Sequence, residues 1–183
     1  MTVPSGADAE ALLRSRIRDI PDYPKPGILF KDITPLLLDP AAVDAAVCGL
    51  ASYARPRDVQ FVVAAEARGF ILGAALAREL GAGFVPARKP GKLPHDTVQA
   101  EYALEYGTDR LEVHSDAIHD GARVIVHDDL LATGGTAKAV CELVERLGGV
   151  VVACVFVAEL AFLPGRERLA GHDVRSLVTY EEE

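Results

Sequence analysis

The sequence predicts an α/β fold with a central, mostly parallel sheet that is flanked by helices. Two strand–helix–strand units carry this prediction, one over residues 59–88 and the other over residues 122–160. Their strands are apolar without alternation, which indicates burial on both faces, and the short connections require parallel pairing with right-handed crossovers. Ligands of such sheets bind beyond the carboxyl ends of the strands. We therefore expect a site in the turns that follow these strands.

The N-terminal part is predicted to contain two helices around a proline-rich loop. Leucine and isoleucine recur at helical spacing over residues 7–20. The segment 21–37 mixes prolines with charged and apolar residues, so it predicts an ordered loop with short extended pieces rather than a regular helix. Asp39 and Pro40 then supply a cap and a first-turn proline for a second helix over 41–54.

Each strand–helix–strand unit carries its own turn and stop signals. The first unit comprises a strand over 59–65, the turn "EARG", a helix over 70–80, the stop Gly81 and a strand over 83–88. The second comprises a strand over 122–129, the turn "LATGGT", a helix over 137–147, two glycines and a strand over 150–160. The turns "EARG" and "LATGGT" both fall where a ligand of such a sheet is expected.

Between the two units, residues 89–118 predict a mobile loop followed by an antiparallel hairpin. Proline and glycine lie early in this stretch, whereas apolar residues alternate late, as at Leu111 and Val113. Such alternation is typical of half-buried strands, and residues 107–109 supply the turn.

Composition limits the possible functions. The chain has 183 residues, half of them hydrophobic and a quarter charged, which fits one globular domain. Its formal net charge of −8 argues against a nucleic-acid surface. No apolar run reaches the roughly 20 residues that a membrane helix needs. Because the N-terminus also lacks the features of a signal peptide, we expect a cytoplasmic protein.

Cysteine and histidine residues do not suggest a metal site. The three cysteines, Cys48, Cys141 and Cys154, lie among apolar residues without a C-x-x-C spacing, and we interpret them as small core residues in a reducing compartment. The five histidines are scattered and form no H-E-x-x-H motif. We therefore do not expect a metal site that the protein builds alone.

The stretch "HDDLLATGGT" at residues 127–136 carries the most specific chemistry. Asp128 and Asp129 can accept hydrogen bonds from vicinal sugar hydroxyls, or hold Mg²⁺ directly or through water. The glycines and threonines of residues 132–136, at the start of a helix, can surround a phosphate monoester with donors. An ordinary glycine-containing turn explains this loop alone, but not the acids beside it. A ribose 5-phosphate fits both features.

The stretch "VIVHDDLLATGGT" resembles the signature of the type I phosphoribosyltransferases. Four further motifs, "YPKPGILFKDITPLL", "EARGFILGAALA", "RKPGKLP" and "LEYGTDRLEVHSDAI", resemble the adenine-using members of that family in order and spacing. The resemblance covers nearly the whole chain. It implies the type I phosphoribosyltransferase fold as a single domain over residues 1–183. Residues 21–38 would form a small N-terminal hood at the base, and residues 88–113 a flexible catalytic loop and hairpin.

The resemblance implies a binding site for phosphoribosyl pyrophosphate. Asp128 and Asp129 would meet the ribose hydroxyls, and the loop after them would bind the 5-phosphate. That loop consists of Ala132, Thr133, Gly134, Gly135 and Thr136. The cations implied for pyrophosphate are Arg68, beside a tight Ala67–Arg68 peptide, and the loop residues Arg88, Lys89 and Lys92, which act in part from a partner subunit.

The resemblance also implies a binding site for adenine. Phe30 would stack on the purine with Leu130 over the other face, while backbone groups of Leu29 and Lys31 would read its edge. Glu105 aligns with the proposed acid–base residue of the family. The catalytic residues implied in this way are Glu105, Arg68 and Arg88.

The implied reaction joins adenine to phosphoribosyl pyrophosphate and gives AMP and pyrophosphate, a step of purine salvage. Negative charge grows on the leaving oxygens while the ribose becomes cation-like, so Mg²⁺ and basic side chains suit one side and acids suit the sugar. Mg²⁺ would be held mainly by the substrate, with Asp128 and Asp129 contributing through water. A homodimer is implied, and neither nucleic acid nor membrane is expected as a partner.

Each residue taken alone has an ordinary structural alternative. Arg68 can be a surface ion-pair partner, Phe30 a core residue and Glu105 a hairpin charge opposite Arg110. His127 stands where the family usually has an aliphatic residue, and we interpret it as a core histidine.

Two other functions also stay open. A phosphoribosyltransferase for another purine, such as xanthine or hypoxanthine, would keep the phosphate loop and differ at residues 28–31. A regulator that binds phosphoribosyl pyrophosphate without turnover would carry a basic face or a DNA-binding segment, which the acidic composition argues against.

Overall fold

Nine strands and six α-helices make up the part of the chain that the structure, a computed structural model, describes, namely residues 6–103 and 108–182. The helices are α1 (Ala7–Ser15), α2 (Thr34–Leu37), α3 (Pro40–Ala54), α4 (Arg68–Leu80), α5 (Gly135–Arg146) and α6 (Gly165–Arg168). The strands are β1 (Arg18–Ile20), β2 (Phe30–Asp32), β3 (Phe61–Ala65), β4 (Gly83–Ala87), β5 (Thr97–Ala103), β6 (Thr108–His114), β7 (Arg123–Leu131), β8 (Val150–Leu160) and β9 (Val174–Tyr180).

Five of these strands form the central sheet in the order β4-β3-β7-β8-β9, with every neighbouring pair parallel. Alternate residues of β7 face opposite sides. Ile125 packs with α3 and α4, and Val124 and Val126 pack with α5 and the β5–β6 hairpin. Both faces are therefore covered, which explains why the strands lack polar alternation. The predicted parallel sheet with flanking helices is confirmed.

The predicted helix signals are confirmed at two positions. The Asp39 carboxylate accepts the backbone N–H of Ala41 at 3.0 Å, and Pro40 is the first residue of α3. Gly81 ends α4 with a φ of 67°, a left-handed conformation that costs little only for glycine.

Two glycines let α4 approach the sheet closely. A Cβ at Gly73 would lie 2.9 Å from the Cβ of Ala64, and one at Gly69 would lie 2.9 Å from Oδ1 of Asp128. The first turn of α4 therefore lies directly against the acids of β7.

The N-terminal elements differ from the prediction. The helix predicted over 7–20 ends at Ser15, because residues 18–20 pair with β2 as an antiparallel strand in which Ile20 lies opposite Phe30. The loop predicted over 21–37 contains the short helix α2, which holds a proline in its first turn, where no donor is needed.

Two further differences concern the sheet and the hairpin. Strand β7 runs two residues beyond the prediction, because Leu131 still pairs with Glu159 of β8. The predicted hairpin has its two antiparallel strands, β5 and β6, while residues 104–107 lie outside the described residues. Within the described ranges, no helix combines the length and the apolar character needed to cross a bilayer.

Candidate functional site

A cavity of about 180 Å³ opens at the carboxyl ends of β3 and β7, which are neighbours in the sheet. Arg68 from the start of α4, Asp128 and Leu130 from β7, and residues 132–137 line it. The structure therefore brings the predicted phosphate loop together with one arginine and one acid. A larger cavity of about 470 Å³ lies between α1, α3 and β9, and none of the predicted site residues borders it.

Asp129 is a buried carboxylate without a hydrogen bond. Its relative exposure is 1%, and neither carboxylate oxygen has a hydrogen-bond partner among the described residues. The half-exposed Arg68 places its Nε 3.0 Å from Asp129 Oδ2, which supplies opposite charge but not the alignment of a hydrogen bond. Buried carboxylates are costly unless their lone pairs are satisfied, so Asp129 is suited to receive donors from a ligand.

Asp128 lies beside Asp129 and carries an unfavourable charge. Its Oδ1 accepts the backbone N–H of Asp129 at 2.9 Å. Burial, together with the neighbouring carboxylate, raises the pKa of Asp128 well above its ordinary value. The pair thus creates a local negative field that favours a bound cation or hydroxyl donors.

The phosphate loop turns sharply into α5. Gly134 has a φ of 79°, and α5 begins at Gly135 and runs for 12 residues. The first N–H groups of such a helix have no acceptor within it, and its dipole is positive at this end. The loop therefore presents donors and partial positive charge to the cavity, next to the negative field of the acids.

Arg68 connects the cavity to the predicted base site. Its guanidinium carbon lies 5.2 Å from the ring centroid of Phe30, which itself packs edge-to-face against Tyr23 at 5.2 Å. Leu29 and Phe30 are partly buried. The hood segment therefore reaches the sheet through Arg68.

The side chain of Lys31 faces away from this site. Its Nζ donates to Asp19 Oδ1 at 2.7 Å and lies 4.3 Å from the ring centroid of Tyr180. Only its backbone remains available for the predicted contact with a base.

The predicted loop cations are held outside the cavity. Arg88 donates through Nε to Glu66 Oε2 at 2.7 Å, and Lys89 donates through Nζ to Asp109 Oδ2 at 2.7 Å. This bond lowers the pKa of Asp109. Lys92 is exposed. The structure thus brings Arg68 to the cavity but not these three residues.

The unusual peptide next to Arg68 lies one bond earlier than expected. The cis bond joins Glu66 and Ala67, rather than Ala67 and Arg68.

His127 is a core residue. It is fully buried, its Nδ1–H donates to the carbonyl oxygen of Val155 at 3.0 Å, and its Nε2 has no hydrogen-bond partner within the described ranges. Burial lowers the pKa of His127 to about 4, so the ring is neutral near pH 7. His127 does not line the cavity.

One predicted functional residue lies outside the described residues, and two further candidates were not identified from the sequence. Glu105 falls within residues 104–107, so its predicted role has no structural account. Arg110, which the ordinary structural alternative places opposite Glu105, donates through Nε to Glu101 Oε2 at 2.9 Å. The sequence reasoning missed Glu66, although it opens the "EARG" motif, and Tyr102, whose hydroxyl lies 3.2 Å from Asp109 Oδ2.

A protein-built metal cage is not found in residues 6–103 and 108–182, since no group of three or more histidine, cysteine, aspartate or glutamate side chains is suited to hold an ion. Asp128 and Asp129 supply carboxylates to a cation only together with oxygens from another source. The site is thus suited to a ligand that carries hydroxyls, a phosphate and its own metal-binding oxygens.

Comparisons with known proteins agree with this geometry. Residues 45–175 match the family model described as "Phosphoribosyl transferase domain". The chain is similar to the adenine phosphoribosyltransferases of Rubrobacter xylanophilus, with 57% identity and 93% of each chain covered, and of Methylococcus capsulatus, with 60% identity, 92% of this chain and 98% of the relative covered.

Solved structures give the same likeness. The adenine phosphoribosyltransferase of Thermoanaerobacter pseudethanolicus matches with a TM-score of 0.90 at 53% identity, covering 93% of this chain and 99% of that one. The enzyme of Saccharomyces cerevisiae, solved with an imino-altritol bisphosphate and adenine, matches with a TM-score of 0.90 at 38% identity, covering 94% and 99%.

Proposed function

The chain belongs to the phosphoribosyltransferase family, in its adenine-using branch, and from this premise we propose how its residues divide the reaction among them. The enzyme joins N9 of adenine to C1 of phosphoribosyl pyrophosphate, so that AMP forms and pyrophosphate leaves. Relatives at 54–60% identity carry this name along nearly their whole length.

The proposed binding site for the ribose hydroxyls rests on Asp129. A carboxylate that is buried and has no hydrogen bond on either oxygen matches a ligand with two adjacent hydroxyls. Ribose has such a pair at C2 and C3. When these hydroxyls donate to Asp129, the buried charge gains the hydrogen bonds that the protein does not provide.

The loop from Ala132 to Thr136 binds the 5-phosphate. Its backbone N–H groups and the threonine hydroxyls are donors, and the positive end of the α5 dipole adds to them. Asp128 lines the same small cavity as the loop, and Asp129 is the next residue of the strand, which supports a phosphate and hydroxyls on a single pentose.

When the substrate binds, Arg68 exchanges its ion pair with Asp129 for contacts with the pyrophosphate. In the absence of a ligand its charge is opposed by Asp129, at 3.0 Å. Once the ribose hydroxyls donate to Asp129, the guanidinium is free to bind the leaving oxygens. Arg88, Lys89 and Lys92 add positive charge at the pyrophosphate after they leave their present positions, and closure of their loop excludes water.

Phe30 stacks on adenine, Leu130 covers its other face, and backbone groups of Leu29 and Lys31 bind its edge. The contact of Arg68 with the Phe30 ring supports a base position next to the sugar site. The incoming N9 must lose a proton as it bonds to C1, and Glu105 accepts that proton directly or through a water.

Mg²⁺ is the proposed cofactor. It would neutralise charge on the leaving pyrophosphate when bound, held mainly by substrate oxygens with Asp128 and Asp129 contributing through water. The position of Asp128 supports this fit, because its carboxylate lines the cavity directly before that of Asp129.

We also propose a cytoplasmic homodimer. The hood segment supports an interface, because it exposes apolar side chains such as Tyr23 and Leu38, which are 53% and 80% exposed.

A coupled assay of AMP formation, run separately with adenine, hypoxanthine and xanthine, tests the proposal. Turnover with adenine alone is expected, whereas faster turnover with another purine would reassign the base site. The assay is then repeated with Asp129→Asn and Glu105→Gln. Full activity in the first variant would remove the sugar role of Asp129, and full activity in the second would remove the acid–base role of Glu105.

A further inference from the structure

We propose that Glu159, Arg166 and Gly165 are positioning residues for the 5-phosphate, because they hold α6 as a fixed wall behind the phosphate loop. None of them lines the 180 Å³ cavity, and each acts through the loop. This inference rests on the proposed function of residues 132–136 as the phosphate-binding loop.

The wall touches the loop through two glycines. A Cβ on Gly134 would lie 2.7 Å from the carbonyl oxygen of Gly165, and a Cβ on Gly165 would clash with the carbonyl oxygen of Ala132. Backbone therefore meets backbone, with no side chain between them to yield. A displacement of α6 has to displace the loop by a similar distance.

An ion pair anchors α6 to the sheet. Arg166 donates through Nε to Glu159 Oε1 and through Nη2 to Glu159 Oε2, at 2.5 and 2.7 Å. Ser176 of β9 also donates to Glu159 Oε2, at 2.8 Å, and Arg166 Nη1 donates to the carbonyl oxygen of Val174 at 3.2 Å. A bidentate pair of this kind fixes orientation as well as distance.

The anchor lies beside the residue from which the loop departs. Glu159 is 2% exposed, and in the sheet it pairs with Leu131, the last residue of β7 before the loop. Leu131 also contacts the α6 wall, because a Cβ on Gly165 would lie 2.9 Å from its side chain. The carboxyl end of β7, the anchor and the wall therefore form one continuous contact around the loop.

Separate binding measurements with ribose 5-phosphate and with pyrophosphate, the two halves of the substrate, distinguish this positioning role from a general effect on stability. The affinity for ribose 5-phosphate depends on the phosphate loop, whereas the affinity for pyrophosphate depends on the basic side chains. Arg166→Met removes the anchor, and its matched control is Arg57→Met, which removes the ion pair of Arg57 with Asp173, 2.6 Å long, at the amino end of β9. Gly165→Ala keeps the ion pair and pushes on the loop directly, and its control is Gly49→Ala, where a Cβ would meet only the Leu177 side chain.

Isothermal titration with Mg²⁺ and each ligand half, on the full-length protein, tests the inference. Arg166→Met and Gly165→Ala should each lower the affinity for ribose 5-phosphate about tenfold, because sub-ångström displacement of aligned donors has effects of this size. Pyrophosphate affinity should change less than twofold, and neither control should affect either ligand. If Arg166→Met does not fold, Gly165→Ala carries the same test.

Wild-type affinity for ribose 5-phosphate in Gly165→Ala would overturn the inference. An equal loss of affinity for ribose 5-phosphate and for pyrophosphate would also overturn it. These results leave the proposed function intact when the wild type forms AMP. A wild type that binds ribose 5-phosphate but forms no AMP from any purine would contradict the proposed function instead. A wild type that binds no ribose 5-phosphate would overturn both.

Discussion

Arg68 and Asp129 face each other across the carboxyl end of the sheet, with 3.0 Å between Nε and Oδ2 and no hydrogen bond between them. The arginine is half-exposed and the aspartate is buried, so the buried charge is opposed by a partner that solvent screens in part. A ligand that donates to the carboxylate and accepts from the guanidinium would satisfy both groups better than they satisfy each other. Phosphoribosyl pyrophosphate has donors at its ribose and acceptors at its pyrophosphate.

The first prediction concerns Asp129→Asn. The amide cannot accept both ribose hydroxyls and brings a donor of its own, so kcat/KM for phosphoribosyl pyrophosphate should fall about 100-fold, as expected for a lost hydrogen bond to a buried charge. Steady-state AMP formation measures this. Asp173→Asn, which alters an acid at the amino end of β9, should keep wild-type kinetics. Equal losses in the two variants would indicate instability rather than lost binding.

The second prediction is that Asp128→Asn abolishes turnover yet stabilises the unliganded fold. Its folded pKa is raised above the unfolded one, so the stability that this carboxyl contributes is present below the unfolded pKa and is lost as pH rises through the folded pKa. Asparagine does not titrate and its amide oxygen can still accept the N–H of Asp129. The variant should therefore be more stable than the wild type at pH 8, because it does not carry a charge whose burial is unfavourable.

Urea unfolding in EDTA at pH 4 and pH 8 measures the difference between Asp128→Asn and the wild type. The gain should be small at pH 4, where wild-type Asp128 is protonated, and larger at pH 8. A gain that does not depend on pH would show that the carboxylate charge is not its source.

The third prediction compares two glycines of α4. Gly69→Ala puts a methyl group 2.9 Å from Oδ1 of Asp128, so the acid must move and kcat/KM should fall about tenfold or more. Gly73→Ala places its methyl group 2.9 Å from Ala64 and should lower the melting temperature while kcat/KM stays within about threefold. If both variants lose activity alike, the position of the whole helix is important rather than the contact with Asp128.

Local signals explain what the sequence predicted correctly. The caps at Asp39 and Gly81 and the apolar strands depend on neighbouring residues, so their pattern is visible in the chain. The periodicity of residues 7–20 predicts a helix that includes Ile20, but Ile20 pairs with Phe30, which lies ten positions further along the chain. Tertiary pairing overrode the local pattern there.

The candidate site also combines features that neighbouring residues determine with features that tertiary contacts determine. The acids and the glycine loop of residues 128–136 are contiguous, and their chemistry can be inferred from the sequence. The contact of Arg68 with Asp129, and of Arg166 with Glu159 behind the loop, brings together side chains that no spacing rule connects. Such contacts depend on the sheet order and on the close packing that the glycines allow, neither of which can be read from a local pattern.

The last prediction concerns His127, whose neutral ring is buried. Its pKa is lowered from 6.5 to about 4 by burial, so its contribution to stability is complete above the unfolded pKa and is lost as pH falls from about 6.5 through 4. The loss should be about 3 kcal/mol, from 1.36 kcal/mol for each pKa unit. His127→Val has no proton to bind, so urea unfolding in EDTA should show a flatter pH dependence over this range. AMP formation at pH 8 should stay within about threefold, because His127 does not line the cavity. Parallel stability curves for the two proteins would locate the acid sensitivity in another group.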